Sequence, residues 1–339
     1  MSCYLSWTTE ETLTKTFNLK MKKPGILLLV ILNVIAAWRK HKISRTETNT
    51  GNNNGKRRFA LVVLAMFLLG SCGTLKMENN GQGEFKNDGY ELVWADEFNH
   101  TGPPKSENWS YETGFERNEE LQWYQQDNIW CKNGLLILEA RRETKPNPLY
   151  KAGSTEWRNN RKDIKYTSAS IKTRGKQSWQ YGRFVMRGKI DISNGLWPAW
   201  WTLGNNGKWP ATGEIDIMEY YRNKLLANIA YLGPDKKDAW FTENRNIDSL
   251  GGKKWASKFH IWRMDWDEND IALYVDDLLL MKVAVNKLVN HDLKKINPFK
   301  QPHYMLLDLA VGGQQGGDPA HTKFPKRFEV DYVRVYQKK

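Results

Sequence analysis

From Tyr90 to the C-terminus the apolar positions fall in short runs, most of them with a period of two. ELVWADEF, GLLILEARRE, YTSASIKTRG, YGRFVMRGKI, GEIDIMEYY, LLANIAYL, FHIWRMDWDE, DIALYVDDLLL, HYMLLDLAV and FEVDYVRVYQ alternate or run through β-branched and aromatic residues, and Gly, Asn, Asp or Pro separates most of them. Alternation places successive side chains on opposite faces of a strand, and the punctuating residues supply turns. Long stretches of helical period are few, and no strand–helix rhythm repeats, which argues against a parallel α/β sheet. The pattern predicts an all-β sandwich of antiparallel sheets. In the last run, Phe328, Val330 and Tyr332 are expected on one face and Glu329 and Asp331 on the other.

Ahead of Tyr90 the pattern changes. Two apolar runs, Ile26–Ala37 and Phe59–Leu69, follow the basic groups Lys22-Lys23 and Lys56-Arg57-Arg58. Each is short for a membrane span and has the layout of an export signal. The first is either the product of an early assigned start or an anchor of its own. The second ends in Leu69-Gly70-Ser71-Cys72 and resembles the bacterial lipoprotein signal, in which the Cys is acylated after cleavage in front of it. This divides the chain into a leader over residues 1–71, a polar Gly/Asn-rich tether over 72–89, and one large domain over 90–339. It implies export and attachment to a bacterial outer membrane through lipid on Cys72 alone.

The net charge of +13 points at first to nucleic acid. Residues 1–71 hold 11 Lys/Arg against 3 Asp/Glu, leaving 40 against 35 for the rest, so the basic bias belongs mostly to the leader. No nucleic-acid partner is expected. Cysteine occurs only at 3, 72 and 131. With the first two removed or acylated, Cys131 has no partner and reads as a core thiol, so the domain is not stapled by disulfides. No CxxC or HExxH spacing suggests zinc, and His260, His303 and His321 read as structural.

The candidate chemistry lies in Gly213–Tyr221, GEIDIMEYY. Glu214 and Asp216 are two apart and share a strand face, but Glu219 arrives one residue late. A β-bulge at Ile217–Met218 would return Glu219 to the face of the other two. Two carboxyl groups ~5–5.5 Å apart across a sugar linkage suit retaining glycoside cleavage. One attacks the anomeric carbon and the other protonates the leaving oxygen. A third acid between them pushes the neighbouring pKa values apart.

Glu214-Ile215-Asp216-Ile217-Met218-Glu219 resembles the E-x-D-x-x-E signature of glycoside hydrolase family 16, the laminarinase, lichenase and agarase group. Four further segments resemble the family in the expected order: Glu120-Leu121-Gln122-Trp123-Tyr124, Tyr181-Gly182-Arg183-Phe184, Gly195-Leu196-Trp197-Pro198-Ala199-Trp200-Trp201 and Val330-Asp331-Tyr332-Val333-Arg334-Val335-Tyr336. The resemblance implies a β-jelly roll of two curved antiparallel sheets with a concave glycan-binding cleft. It makes Glu214 the nucleophile, Asp216 its helper and Glu219 the acid/base. It requires no cofactor, and it puts a structural calcium near Asp331 as an option. The partner implied is a β-linked polysaccharide, handled by a monomer.

Aromatic rings stack on the apolar faces of sugars. Trp197, Trp201 and Trp123 are the cleft candidates, with Trp209 and Trp240 also available, and alternation allows only one of Trp200 and Trp201 to meet substrate. Asn118, Gln122 and Arg183 are candidate partners for sugar hydroxyls. Two departures bear on the glycan. The strand Leu226–Tyr231 lacks the His common in β-1,3-glucanases, and Gly312–Asp318 carries Gln314-Gln315 where laminarinases often have Asn-Trp. A β-1,3- or mixed-linkage glucan and a galactan or mucin-type glycan both remain open, and so does transfer to a sugar acceptor. A non-catalytic binding sandwich has no need of three convergent acids.

Overall fold

A computed structural model describes residues 88–339. The leader, Cys72 and the tether up to residue 87 lie outside the described residues. The strands are β1 (Tyr90–Asp96), β2 (Ser110–Tyr111), β3 (Gln122–Tyr124), β4 (Ile129–Lys132), β5 (Leu135–Pro146), β6 (Asp163–Ser168), β7 (Ser170–Lys172), β8 (Gly182–Lys189), β9 (Leu196–Gly204), β10 (Glu214–Tyr221), β11 (Lys224–Leu232), β12 (Asp238–Asn246), β13 (His260–Trp266), β14 (Asp270–Val275), β15 (Leu278–Ala284), β16 (His303–Val311) and β17 (Lys326–Lys338). They form two sheets. The larger runs β15-β14-β13-β8-β17-β5-β6-β3, with β1 on β17 and β4 on β5, and the smaller runs β12-β11-β10-β9-β16-β7-β2. Pairing is antiparallel except between β3 and β6.

Alternation delivers the core. Phe184, Met186, Trp262, Met264, Trp266 and Leu138 from the larger sheet meet Trp200, Ile215, Ile229, Leu307 and Leu309 from the smaller one, all essentially buried. On β9 the expected division holds: Leu196 and Trp200 join this core, while Trp201 lies on the other face with Ala199, Tyr304 and Leu306. Cys131 is buried in the same core, where burial first and Asp96 second push its thiol up to about 12.

The register of β10 breaks where the acid spacing predicts. Asp216 pairs with Trp201 and Met218 with Trp200, two steps against one, and across β11 Asp216 pairs with Asn228 and Glu219 with Leu226. Ile217 and Met218 both enter the core. Without the extra residue Glu219 would point between the sheets, where an ionised carboxylate without a partner costs on the order of several kcal/mol.

A second bulge, on β17, corrects one expectation. Val330 pairs with Gly188 and Tyr332 with Arg187, so Asp331 is the extra residue. Phe328 and Val330 face the core, but after the bulge Val333 and Val335 take that role and Tyr332 turns outward beside Tyr336 and Val185.

Candidate active site

Gly213 precedes the acid strand at φ +73°, and a Cβ there would lie 2.8 Å from Pro298. Only glycine fits this turn, which brings Glu214 to the mouth of a cavity of about 680 Å³. Glu214, Asp216 and Glu219 all line it. The bulge has placed all three acids on one wall, as their spacing predicts.

Each acid is held by uncharged donors. The Trp209 indole donates to Glu214 Oε2 at 2.5 Å. Glu219 accepts the Trp197 indole at 2.5 Å on Oε1 and the Asn228 amide at 2.7 Å on Oε2. Asp216 hydrogen-bonds Glu214, lowering the pKa of Glu214 and raising its own. Burial is the main force on all three. It lifts Asp216 well above the usual carboxylate range, with Glu214 and Glu219 adding to the rise. It also raises Glu214, against the Trp209 and Asp216 donors. Burial, aided by Glu214 and Asp308, holds Glu219 up at about 8 despite its indole and amide donors. Of the three, Asp216 is thus biased toward its protonated form, in which it donates to Glu214, and Glu219, at about 8, has a proton to give at neutral pH.

Beside the acids a second polar cluster runs from the cavity wall into the domain. The Trp201 indole donates to Asp308 at 2.7 Å, and the Arg117 guanidinium sits 5.2 Å from the Trp201 ring centre. Arg117 is ion-paired with Glu112, and its Nη1 is buried with no hydrogen-bond partner, one donor unspent at the cavity wall. The Tyr124 hydroxyl is 3.3 Å from Glu120 and 3.2 Å from Asp308. One hydroxyl proton satisfies one carboxylate only, so both contacts are hydrogen bonds when the other acid is protonated. Burial raises Glu120 to about 7 and Asp308 to about 6, in keeping with a shared proton.

Of the other sequence candidates, Trp197, Trp201 and Asn118 line the cavity, as do Trp209 and Trp240. Three do not. Trp123 packs edge-on against Phe115 at 5.4 Å and covers Gly114. Gln122 is fully buried, donating to Glu120 at 2.6 Å and accepting from the Val311 backbone at 2.7 Å, so it supports the wall from behind. Arg183 belongs to β8 of the other sheet, where it pairs with Asp265 at 2.7 Å and with Asp88, and lies over Tyr90. Its expected role as a sugar-hydroxyl partner is withdrawn. Asp331 likewise pairs with Arg187 at 2.6 Å. Among the described residues no group of three or more His, Cys, Asp or Glu could hold a metal, so a calcium at Asp331 would have to draw its other ligands from backbone carbonyls and water.

Arg117, Asn228 and Asp308 were not found from sequence. Asn228 and Asp308 had a usable signal: each is a lone polar residue inside an apolar strand run, LLANIAYL and HYMLLDLAV, and such a residue needs a buried partner.

Residues 117–334 match the family described as glycosyl hydrolases family 16, and the chain belongs to that family. A beta-glucanase of Rhodothermus marinus is 35% identical over 271 residues, 73% of this chain and 85% of that protein. A solved structure from work on endo-acting O-glycanases, which prominent members of the human gut microbiota express to initiate mucin breakdown, is 34% identical with a TM-score of 0.67, covering 75% of this chain and 92% of that one. The laminarinase catalytic domain of Thermotoga maritima is 31% identical with a TM-score of 0.62, covering 74% and 100%. The two sheets are thus a family 16 jelly roll, and the protein is a glycosidase acting on β-glycans without a cofactor.

Proposed function

We propose that this chain is a retaining, endo-acting β-glycanase. The observation that carries this reading is the convergence of three acids from one bulged strand on a single cavity, each in a different protonation environment. Glu214, ionised and steadied by Trp209 and by the Asp216 proton, attacks the anomeric carbon. Glu219 passes its proton to the leaving oxygen as the glycosidic bond breaks. In the second half it takes a proton from water, whose oxygen displaces Glu214 and restores the starting site. Asp216 keeps negative charge on Glu214 rather than sharing it.

The substrate we propose is a β-1,3- or mixed-linkage β-1,3/1,4-glucan, supported by the Rhodothermus and Thermotoga relatives. Endo-cleavage of galactan or mucin-type glycans is the second reading. It is favoured by the O-glycanase likeness, by Gln314 and Gln315 at the cavity rim, and by the strand β11 that lacks His. Reducing-sugar release from laminarin, barley β-glucan, agarose, arabinogalactan and mucin glycans, with wild type and Glu214→Ser, tests both. Release from the first two alone supports the glucan reading, and release confined to agarose, arabinogalactan or mucin glycans supports the second. Release that survives Glu214→Ser removes the nucleophile assignment. Export and lipid attachment at Cys72 are part of the proposal, and radiolabelled palmitate should enter the wild-type chain and not Cys72→Ala.

A further inference from the structure

Glu214 and Glu219 stand five residues apart, and the bulge absorbs one of them. Four steps of ~3.3 Å put their backbones ~13 Å apart. Two carboxyl groups that work on one linkage with retention must approach to ~5–5.5 Å. The side chains must lean toward each other, and something must keep them leaning. For Glu219 the register identifies the candidate. Its backbone faces Leu226, yet its Oε2 is 2.7 Å from the amide of Asn228, two residues along β11 in the direction of Glu214. Asn228 faces Asp216, hydrogen-bonds it as well, lines the cavity and is only 4% exposed.

We propose that Asn228 is the positioning residue that straps Glu219 across the bulge and aims its carboxyl at the leaving oxygen. The inference rests on the reading of Glu219 as the acid. Asn228 acts through Glu219 and Asp216. Its amide donates to Glu219 at 2.7 Å and opposes the rise in pKa of both acids, so the strap and the division of protons between them are one device. A buried Asn with only a packing role would, when removed, slow every substrate alike. A strap on the acid slows the first, bond-breaking step only where the leaving group needs the proton.

Aryl glycosides separate the two. Dinitrophenolate departs without protonation, whereas phenolate needs the acid. With phenyl and 2,4-dinitrophenyl β-laminaribiosides, Asn228→Ala and Asn228→Ser are expected to lose on the order of 30-fold in kcat/KM, which reads the first step alone, on the phenyl glycoside and under about fivefold on the dinitrophenyl one, short of the ~10²–10⁴-fold that a lost general acid costs. Equal losses on both overturn the proposal. Glu219→Gln is the control and should split the two substrates more widely. If it does not, the acid assignment fails, whatever Asn228 does. Should the wild type leave these glycosides intact, or Asn228→Ala not fold, carboxyl-labelled glutamate NMR on Asn228→Ser decides. The resonance missing in Glu219→Gln identifies Glu219, whose carbonyl environment still includes Trp197, Glu214, Asp216 and Asp308. Loss of the amide donor is expected to move its titration midpoint upward, and an unchanged midpoint overturns the strap.

Discussion

Strands β10 and β17 carry the same irregularity and use it oppositely. On β10 the two residues at the bulge are apolar and sink into the core, so a late acid regains the cavity wall. On β17 the extra residue is itself the acid, Asp331, and the phase change turns Tyr332 out and two valines in. The company each acid keeps differs as well. Over the outer face of the larger sheet, cations meet the acids: Lys189 at Glu329, Arg187 at Asp331, Arg183 at Asp265 and Arg334 at Glu97. On the cavity wall the direct partners are indoles, amides, a phenol and one another. A cation would fix these carboxylates in the ionised state. Uncharged donors orient them and let burial raise their pKa values, which an acid catalyst requires.

This contrast can be broken in three ways. Glu219→Gln removes the proton donor and should cut kcat/KM for the cleaved glycan by on the order of 10²–10⁴. The equivalent neutralisation on the other sheet, Asp331→Asn, should leave the rate unchanged. The pH dependence comes next. Glu219 must be protonated to act, so kcat/KM should fall as pH rises through about 8. Stability moves in the same direction. Glu120 at about 7 and Asp308 at about 6 sit above their values in an unfolded chain, so their contribution is complete below about 4 and is lost as pH rises through 6 to 7. Calorimetry should show Tm declining over that interval, and Asp308→Asn should flatten the decline. A Tm that holds steady from pH 5 to 8 would remove the shared-proton account of Tyr124. The smallest effect belongs to the Arg187–Asp331 pair, which is half-exposed. Asp331→Ala should change stability by less than about 1 kcal/mol, and a chelator should leave Tm where it was. A drop with chelator would restore the calcium site.

The same two strands mark how far sequence reaches. The β10 bulge was legible because three acids labelled the face, and a break in their spacing had only one cheap structural reading. The β17 bulge was not, since Phe328, Val330 and Tyr332 are all apolar enough for either side. Strand β12 was missed because an edge strand with both faces partly wet carries a polar, charged sequence, DAWFTENRN. DIALYVDDLLL read as one strand but folds as the β14–β15 hairpin, turned at Asp276 with φ +50° where an Asn-Gly pair would have announced the reversal. Arg183 was misplaced for a different reason: a motif gives neighbours along the chain, not the sheet to which they belong. Of the residues found only in the fold, Asn228 reaches 9 positions along the chain to Glu219, and Asp308 reaches 107 to Trp201 and 184 to Tyr124.

The first and last strands of the domain lie side by side, with Tyr90 opposite Lys338. Chain entry and chain exit therefore share one corner, on the sheet that does not hold the three acids. Tension drawn between those ends meets the β1–β17 ladder rung by rung, as a zipper does, and spends itself there. Strand β10 is not in the line of pull, so the domain can be tugged at its ends while its chemistry stays in register.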